Sequence, residues 1–247
     1  MSGPRPLPRV GGWLLAGLWG LYALVSAQAS MGIGEGPLAF VPAQHLADAL
    51  VLASAVICLA RPLFRRGDRL AWLLLGTALA AWAAGDLYYS LAFAETEVPP
   101  LPSLSDGLWL ALYPLSGAAL ILLARSRFSR IHPTLLVDGV IAALAVTATC
   151  IGALWAPVLD APSGGPLALA TLLAYPIGDA LLLGLVAAVF TLSGWRPDRV
   201  WAFLGAGLAA AAIADGMVTY LSATSELVDG TALDALFPAG ALLLAAA

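Results

Sequence analysis

The chain has 247 residues, of which 61% are hydrophobic and only 11% charged; its formal net charge is −4 and its mean hydropathy +0.93. A soluble domain carries roughly a quarter charged residues, so this composition excludes water as the main solvent and points to lipid. All eleven basic residues are arginine. The absence of lysine excludes a retinal Schiff base, and the chain has no asparagine either, a bias that suggests a GC-rich bacterial genome.

In lipid the backbone must satisfy its own hydrogen bonds, so only helices or a closed barrel can span. Barrel strands are short and alternate in polarity. The apolar runs here are long and rich in Leu and Ala, which predicts helices. They fall at about 12–33, 43–63, 70–94, 105–124, 134–158, 166–193, 199–222 and 229–247, each near the roughly 20 residues that a crossing helix needs. The expectation is an all-α, polytopic bundle of about eight spans forming a single transmembrane domain over residues 1–247.

Arg5 and Arg9 precede the first run, and no small-residue cleavage site follows, so this run reads as a retained span. Arg61, Arg65, Arg66 and Arg69 fall between the second and third, Arg125, Arg127 and Arg130 between the fourth and fifth, and Arg196 and Arg199 between the sixth and seventh. The alternate connections carry Glu35, Glu95, Glu97, Asp160, Glu226 and Asp229 and no arginine. The positive-inside rule then places both termini in the cytoplasm of a multi-pass plasma-membrane protein. Trp13, Trp19, Trp109, Trp155, Trp195 and Trp201 lie near span ends and read as an interfacial aromatic belt. The last run ends at Ala247 without an arginine flank, so a cytoplasmic output domain is expected beyond it.

The runs also repeat. Asp86 aligns with Asp215, Asp106-Gly107 with Asp229-Gly230, and Tyr113-Pro114 with Tyr175-Pro176 and Phe237-Pro238. Hairpins repeated in one orientation read as a duplication. Pro114, Pro176 and Pro238 should each kink a helix and free a carbonyl.

Ionisable residues inside spans are costly and are functional candidates. Asp86, Asp106, Asp179, Asp215 and Asp234 map to the outer half of the bundle. Helical spacing puts Trp82 and Tyr89 on the face of Asp86, Tyr113 on that of Asp106, and Tyr175 on that of Asp179. Asp86, Tyr89, Asp106, Tyr113, Tyr175, Asp179, Asp215 and Tyr220 should therefore converge on one outward-facing polar cavity, a candidate site for a small ligand. Protonation, tyrosine hydroxyls or a bound cation could each accommodate its carboxylates. Asp106 and Asp229 read best as helix caps, and Asp138 as an early-turn acid.

Cys58 and Cys150 read as buried small hydrophobes. His45 with Asp48 is too small a set for a metal, and His132 sits in an arginine-rich loop. No Walker loop, HExxH, GxSxG or zinc-spaced set occurs, so nothing in the chain supports catalysis, a cofactor, a metal or a nucleic-acid partner. Gly- and Ala-rich faces suit close packing or homo-oligomerisation.

Gly85-Asp86-x-Tyr88-Tyr89, Pro102-Ser103-x-Ser105-Asp106, Tyr113-Pro114, Leu136-x-Asp138-Gly139, Tyr175-Pro176-x-Gly178-Asp179 and Ala214-Asp215 with Tyr220 together resemble the multi-span N-terminal region of actinobacterial cyclic-di-GMP signalling proteins. In that family cytoplasmic GGDEF and often EAL domains follow the membrane region. The resemblance implies a sensory input role and fixes no ligand; any diguanylate cyclase or phosphodiesterase activity would reside in those further domains. The residues alone leave two other readings open, a cation- or proton-coupled transporter and a structural membrane protein.

Overall fold

The computed structural model describes residues 9–30, 43–64, 67–93, 95–96, 99–128, 165–223 and 235–247, with scattered residues between 137 and 152. All regular structure among them is helical: α1 (Arg9–Ser30), α2 (Ala43–Phe64), α3 (Arg69–Ala92), α4 (Leu104–Leu110), α5 (Leu112–Arg127), α6 (Pro166–Leu192), α7 (Arg199–Ala223) and α8 (Leu236–Ala246). The segments His45–Phe64, Arg69–Ala92, Leu104–Arg127, Pro166–Leu192 and Arg199–Leu221 are long and apolar enough to cross a membrane. Their exteriors confirm the solvent. Leu52, Val56, Leu87, Leu91, Leu181 and Ile213 are all more than half exposed, while Asp106 and Asp179 are buried. A water-soluble protein would not expose so much contiguous apolar surface. The chain is a helical membrane protein. The expected run at 134–158 lies largely outside the described residues; those described within it are helical where assigned and expose Val137, Val140, Ile141 and Leu144.

Several helix ends follow from local chemistry. Asp198 caps α7, its carboxylate accepting the Trp201 N–H at 3.1 Å. Past α6, Gly194 takes the left-handed conformation, with φ at 63°. Its N–H then reaches the Thr191 carbonyl, and the Trp195 N–H reaches that of Phe190 at 2.8 Å, closing a Schellman motif. The break between α4 and α5 at Ala111 has its cause in Pro114, which has no N–H to offer the Leu110 carbonyl one turn back. The expectation for Pro238 changes: it lies in the first turn of α8, where a missing N–H breaks no intrahelical bond. Pro176 is accommodated within α6.

Six helical segments, counting α4 and α5 as one, form a closed ring among the described residues. In order around it, α2 packs on α3, α3 on α4 and α5, α5 on α6, α6 on α7, α7 on α8, and α8 back on α2; α1 lies outside against α2 and α8. The two halves of this ring are alike. Trp72-x-x-Leu75-Gly76-x-x-Leu79 in α3 recurs as Trp201-x-x-Leu204-Gly205-x-x-Leu208 in α7, each running on in register to Asp86 and Asp215. Asp48-Ala49-Leu50 in α2 recurs as Asp179-Ala180-Leu181 in α6, and Ala111-Leu112-Tyr113-Pro114 as Ala235-Leu236-Phe237-Pro238. The packing follows the same alignment. A Cβ on Gly76 would fall 2.7 Å from Leu59 of α2, and one on Gly205 would fall 3.0 Å from Phe190, the residue of α6 that aligns with Leu59.

The core is Leu-, Ala- and Trp-rich, with Leu75, Leu79 and Leu204 essentially inaccessible. Leu204→Ala should cost about 2–5 kcal/mol through lost contacts and a residual cavity. Leu181→Ala, on a lipid-exposed site, should change stability by less than about 0.5 kcal/mol; thermal unfolding in lipid nanodiscs compares the two. Hydroxyls within the spans mostly satisfy themselves on their own helix, as Ser54 does on the Leu50 carbonyl and Thr171 on that of Leu167.

Two expectations at the arginine-rich ends need correction. Arg61 is not a loop residue. It lies in the last turn of α2, buried, with its guanidinium 3.9 Å from the centre of the Trp72 ring; stacking on an indole lets a guanidinium leave water. Trp201 is not part of an interfacial belt but is 4% exposed in the core. Trp13 and Trp195 remain well exposed, and Trp155 lies outside the described residues. Arg127 at the end of α5 pairs with Asp198 at the start of α7, so these two ends share one side of the bundle.

Candidate functional site

The aspartates of α3, α4, α6 and α7 and the aromatic residues of α3, α4, α5 and α6 meet in one polar cluster. Its pairings run between helices. Trp109 Nε1 donates to Asp86 Oδ1 at 2.8 Å, and Trp82 lies one turn before Asp86 on α3. Tyr175 of α6 donates its hydroxyl to Asp106 Oδ1 at 2.8 Å. Tyr113 of α5 donates to Asp215 Oδ2 at 3.2 Å, with Asp179 of α6 within electrostatic reach of the same phenol. The Asp215 contact is longer than the usual O–H···O distance of about 2.7–2.8 Å.

Backbone placement makes these contacts possible. Gly178 lets the Tyr113 ring lie against α6, since a Cβ there would stand 2.5 Å from the ring. Gly85 does the same for Trp109, whose indole would meet a Cβ at 2.7 Å. The Tyr113 and Tyr175 rings meet edge to face, their centroids 6.5 Å apart, and so join two of the hydrogen-bonded groups.

Asp106 has the capping role expected of it. Its second oxygen accepts the Ser103 N–H at 2.7 Å and the Ser103 hydroxyl at 2.8 Å, holding the start of α4. The Tyr175 bond makes the same carboxylate a bridge to α6. Tyr89 stands at the rim, 36% exposed, with its ring against that of Trp109 at 5.5 Å. Tyr220 lies farther along α7 and is 46% exposed, the most open of the eight candidates. Asp138, Asp229 and Asp234 lie outside the described residues, as do His132 and Cys150. Cys58 is buried as a free thiol.

The carboxylates also lie within electrostatic reach of one another: Asp48 with Asp86, Asp86 with Asp215, and Asp215 with Asp179. That order follows the two-fold likeness of the ring, because Asp48 aligns with Asp179 and Asp86 with Asp215. His45, exposed at the start of α2, interacts with Asp48. Among the described residues no group of three or more His, Cys, Asp or Glu side chains has a geometry that would hold a metal ion.

Trp109 is the site residue that sequence reasoning misassigned. Its position near a span end suggested the lipid interface, but the break at Ala111 turns α4 so that the indole faces α3. The available signal was chemical: an indole N–H inside a span needs an acceptor, and Asp86 of α3 supplies one. Ser116 is a second addition. It is fully buried on α5, one turn past Tyr113, and its hydroxyl has no hydrogen-bond partner among the described residues. Ser116→Ala should leave stability unchanged or raise it by up to about 1 kcal/mol, since it removes an unsatisfied polar group; a clear loss in a nanodisc melting experiment would mean that the hydroxyl has a partner.

No family model, curated protein or solved structure matches this chain.

Proposed function

We propose that this chain is a membrane-embedded sensory input module, of the kind that precedes cyclic-di-GMP output domains, with an outward-facing Asp/Tyr/Trp site and both termini in the cytoplasm. The observation that carries the reading is the cross-helix wiring of the polar cluster. One ligand group that displaces Tyr113 or Tyr175 from its carboxylate acts on α4 to α7 together, so a local binding event can become a helix rearrangement. The segregation of arginines to one set of connections supports the orientation, and the resemblance in sequence supports the kind of output.

The test is made with the full-length gene in its host. Cyclic-di-GMP is measured with the wild-type protein, with Tyr113→Phe and with Tyr175→Phe, all at matched membrane levels. The reading requires at least a several-fold change in one variant. An unchanged level in both, or a reading frame without an output domain, would sink it.

A proton- or cation-coupled transporter is the second reading. The two like halves favour it, since repeats around a shared site are common in transporters. Uptake into proteoliposomes that is lost in Asp179→Asn and Asp215→Asn would select it over the sensor.

A further inference from the structure

We propose, resting on the sensor reading of the polar cluster, that its ligand is an organic cation, an amine in its protonated form that takes the place of the Tyr113 hydroxyl at Asp215.

The cluster gathers negative charge without a counter-charge. Among the described residues, Asp86, Asp106, Asp179 and Asp215 form no ion pair with a basic side chain. The chain has no lysine, and the arginines of the same helices are remote. Arg69 opens α3 and Arg199 opens α7, so a rise of roughly 1.5 Å per residue puts Asp86 and Asp215 about 25 Å farther along. His45, exposed at the start of α2, interacts with Asp48 instead. Carboxylates held inside a bundle in this way favour a cationic guest.

A guest can reach them. Asp86 continues the stripe of Leu75, Leu79 and Trp82 on α3, and Asp215 that of Leu204, Leu208 and Ala211 on α7, all of them buried in the ring. Asp86, Asp215, Tyr113 and Tyr175 are nevertheless only half-buried, while Leu79 and Leu208, two turns deeper, are closed off. The site is therefore open at its own end of the bundle and sealed beneath by leucine. Its walls are aromatic: Tyr113 against Tyr175, and Trp109 beside Asp86. A cation within about 6 Å of such a ring is attracted by its π face, so an amine uses both the carboxylates and the rings. A metal ion would use the oxygens alone, and no group among the described residues is arranged to hold one.

Ser116 points to a ligand independently of charge. It belongs to the buried stripe of Leu112, Ala119 and Leu123 on α5, so it faces the same interior one turn past Tyr113. Its hydroxyl has no hydrogen-bond partner among the described residues, a cost that a polar guest in the site would relieve. The contact that yields is the one from Tyr113. At 3.2 Å it is longer than the 2.8 Å bonds from Trp109 to Asp86 and from Tyr175 to Asp106.

Binding is read from the unfolding temperature of the full chain in lipid nanodiscs. The protein is titrated at constant ionic strength with phenethylammonium, tetramethylammonium, sodium, and the neutral and anionic counterparts phenylethanol and phenylacetate. At least one organic cation should raise the unfolding temperature saturably; sodium, phenylethanol and phenylacetate should not. Asp215→Asn should weaken the apparent affinity at least about tenfold, the size of one hydrogen bond to a charged group. Asp198→Asn removes an acid at the far end and should change it by less than about twofold, since that distance exceeds the screening length. Tyr113→Phe keeps the ring and removes the competing donor, so it should bind several-fold tighter, an opposite sign that carries the test even if Asp215→Asn fails to fold. Ser116→Ala should weaken binding about threefold or more with no loss of stability in the absence of cation. Equal stabilisation by sodium or phenylethanol, no response to either organic cation, or unchanged affinity in Tyr113→Phe would overturn the proposal. Because binding is measured without the output, a failure here with cyclic-di-GMP still altered by Tyr113→Phe would remove the cation and leave the sensor standing. Cation binding in a protein whose output ignores Tyr113→Phe and Tyr175→Phe would support the cation and sink the sensor.

Discussion

Gly240→Leu should be the most damaging single substitution in the described part of the ring, lowering stability by at least about 3 kcal/mol. Gly207 of α7 and Gly240 of α8 face each other so closely that a Cβ on either would lie 2.8 Å from the other's carbonyl oxygen. Backbone oxygens cannot rotate aside as a side chain can, so the two helices must separate. Overpacking a well-filled core usually costs about 1–3 kcal/mol. The upper end or beyond applies here because the lost contact is helix against helix. In lipid there is little hydrophobic force to restore it, since association rests on van der Waals packing and interhelical polar bonds. Gly117→Leu is the matched comparison. Its Cβ would meet Leu182 and Leu185 at ordinary contact distances of 3.7 and 4.0 Å, so the cost should stay below about 1.5 kcal/mol. Unfolding in mixed micelles at rising SDS measures both. Similar values for the two would mean that the α7–α8 contact is not as close as described.

The class of protein was legible in composition because the lipid solvent imposes it everywhere along the chain. Spans came through for the same reason: α2, α3, α6 and α7 begin or end within a few residues of their apolar runs. What the sequence concealed was direction. Spacing along one helix suggested that Tyr113 would serve Asp106 and that Tyr175 would serve Asp179. The structure pairs them otherwise, Tyr175 reaching Asp106 and Tyr113 reaching Asp215. Residues one or two turns apart on a helix project side by side, and a phenol is too long to turn back onto its own helix. Its partner is therefore on the neighbour, and the choice of neighbour is tertiary information. Trp109 was lost to the same limit, compounded by the break at Ala111. Arg61 was misplaced because an arginine at a span end is normally a topology marker; only the packing of Trp72 against it marks it as buried.

The exchange of partners is itself measurable. Tyr113→Phe combined with Asp215→Asn in a double-mutant cycle should give a coupling energy of roughly 1–2 kcal/mol. Two generalisations pull on this figure. Interhelical hydrogen bonds in membranes average only about 0.6 kcal/mol, because the unfolded chain in the bilayer also finds partners. Hydrogen bonds to charged groups are worth about 1.5–3 kcal/mol. The site favours an intermediate value, since Tyr113 is held in place by the Gly178 contact but its bond to Asp215 is long, at 3.2 Å. The cycle for Tyr113→Phe with Asp106→Asn, whose carboxylate answers to Tyr175 and Ser103 instead, should give a coupling below about 0.5 kcal/mol, because that pair shares no hydrogen bond. Strong coupling to Asp106 with none to Asp215 would restore the same-helix pairing.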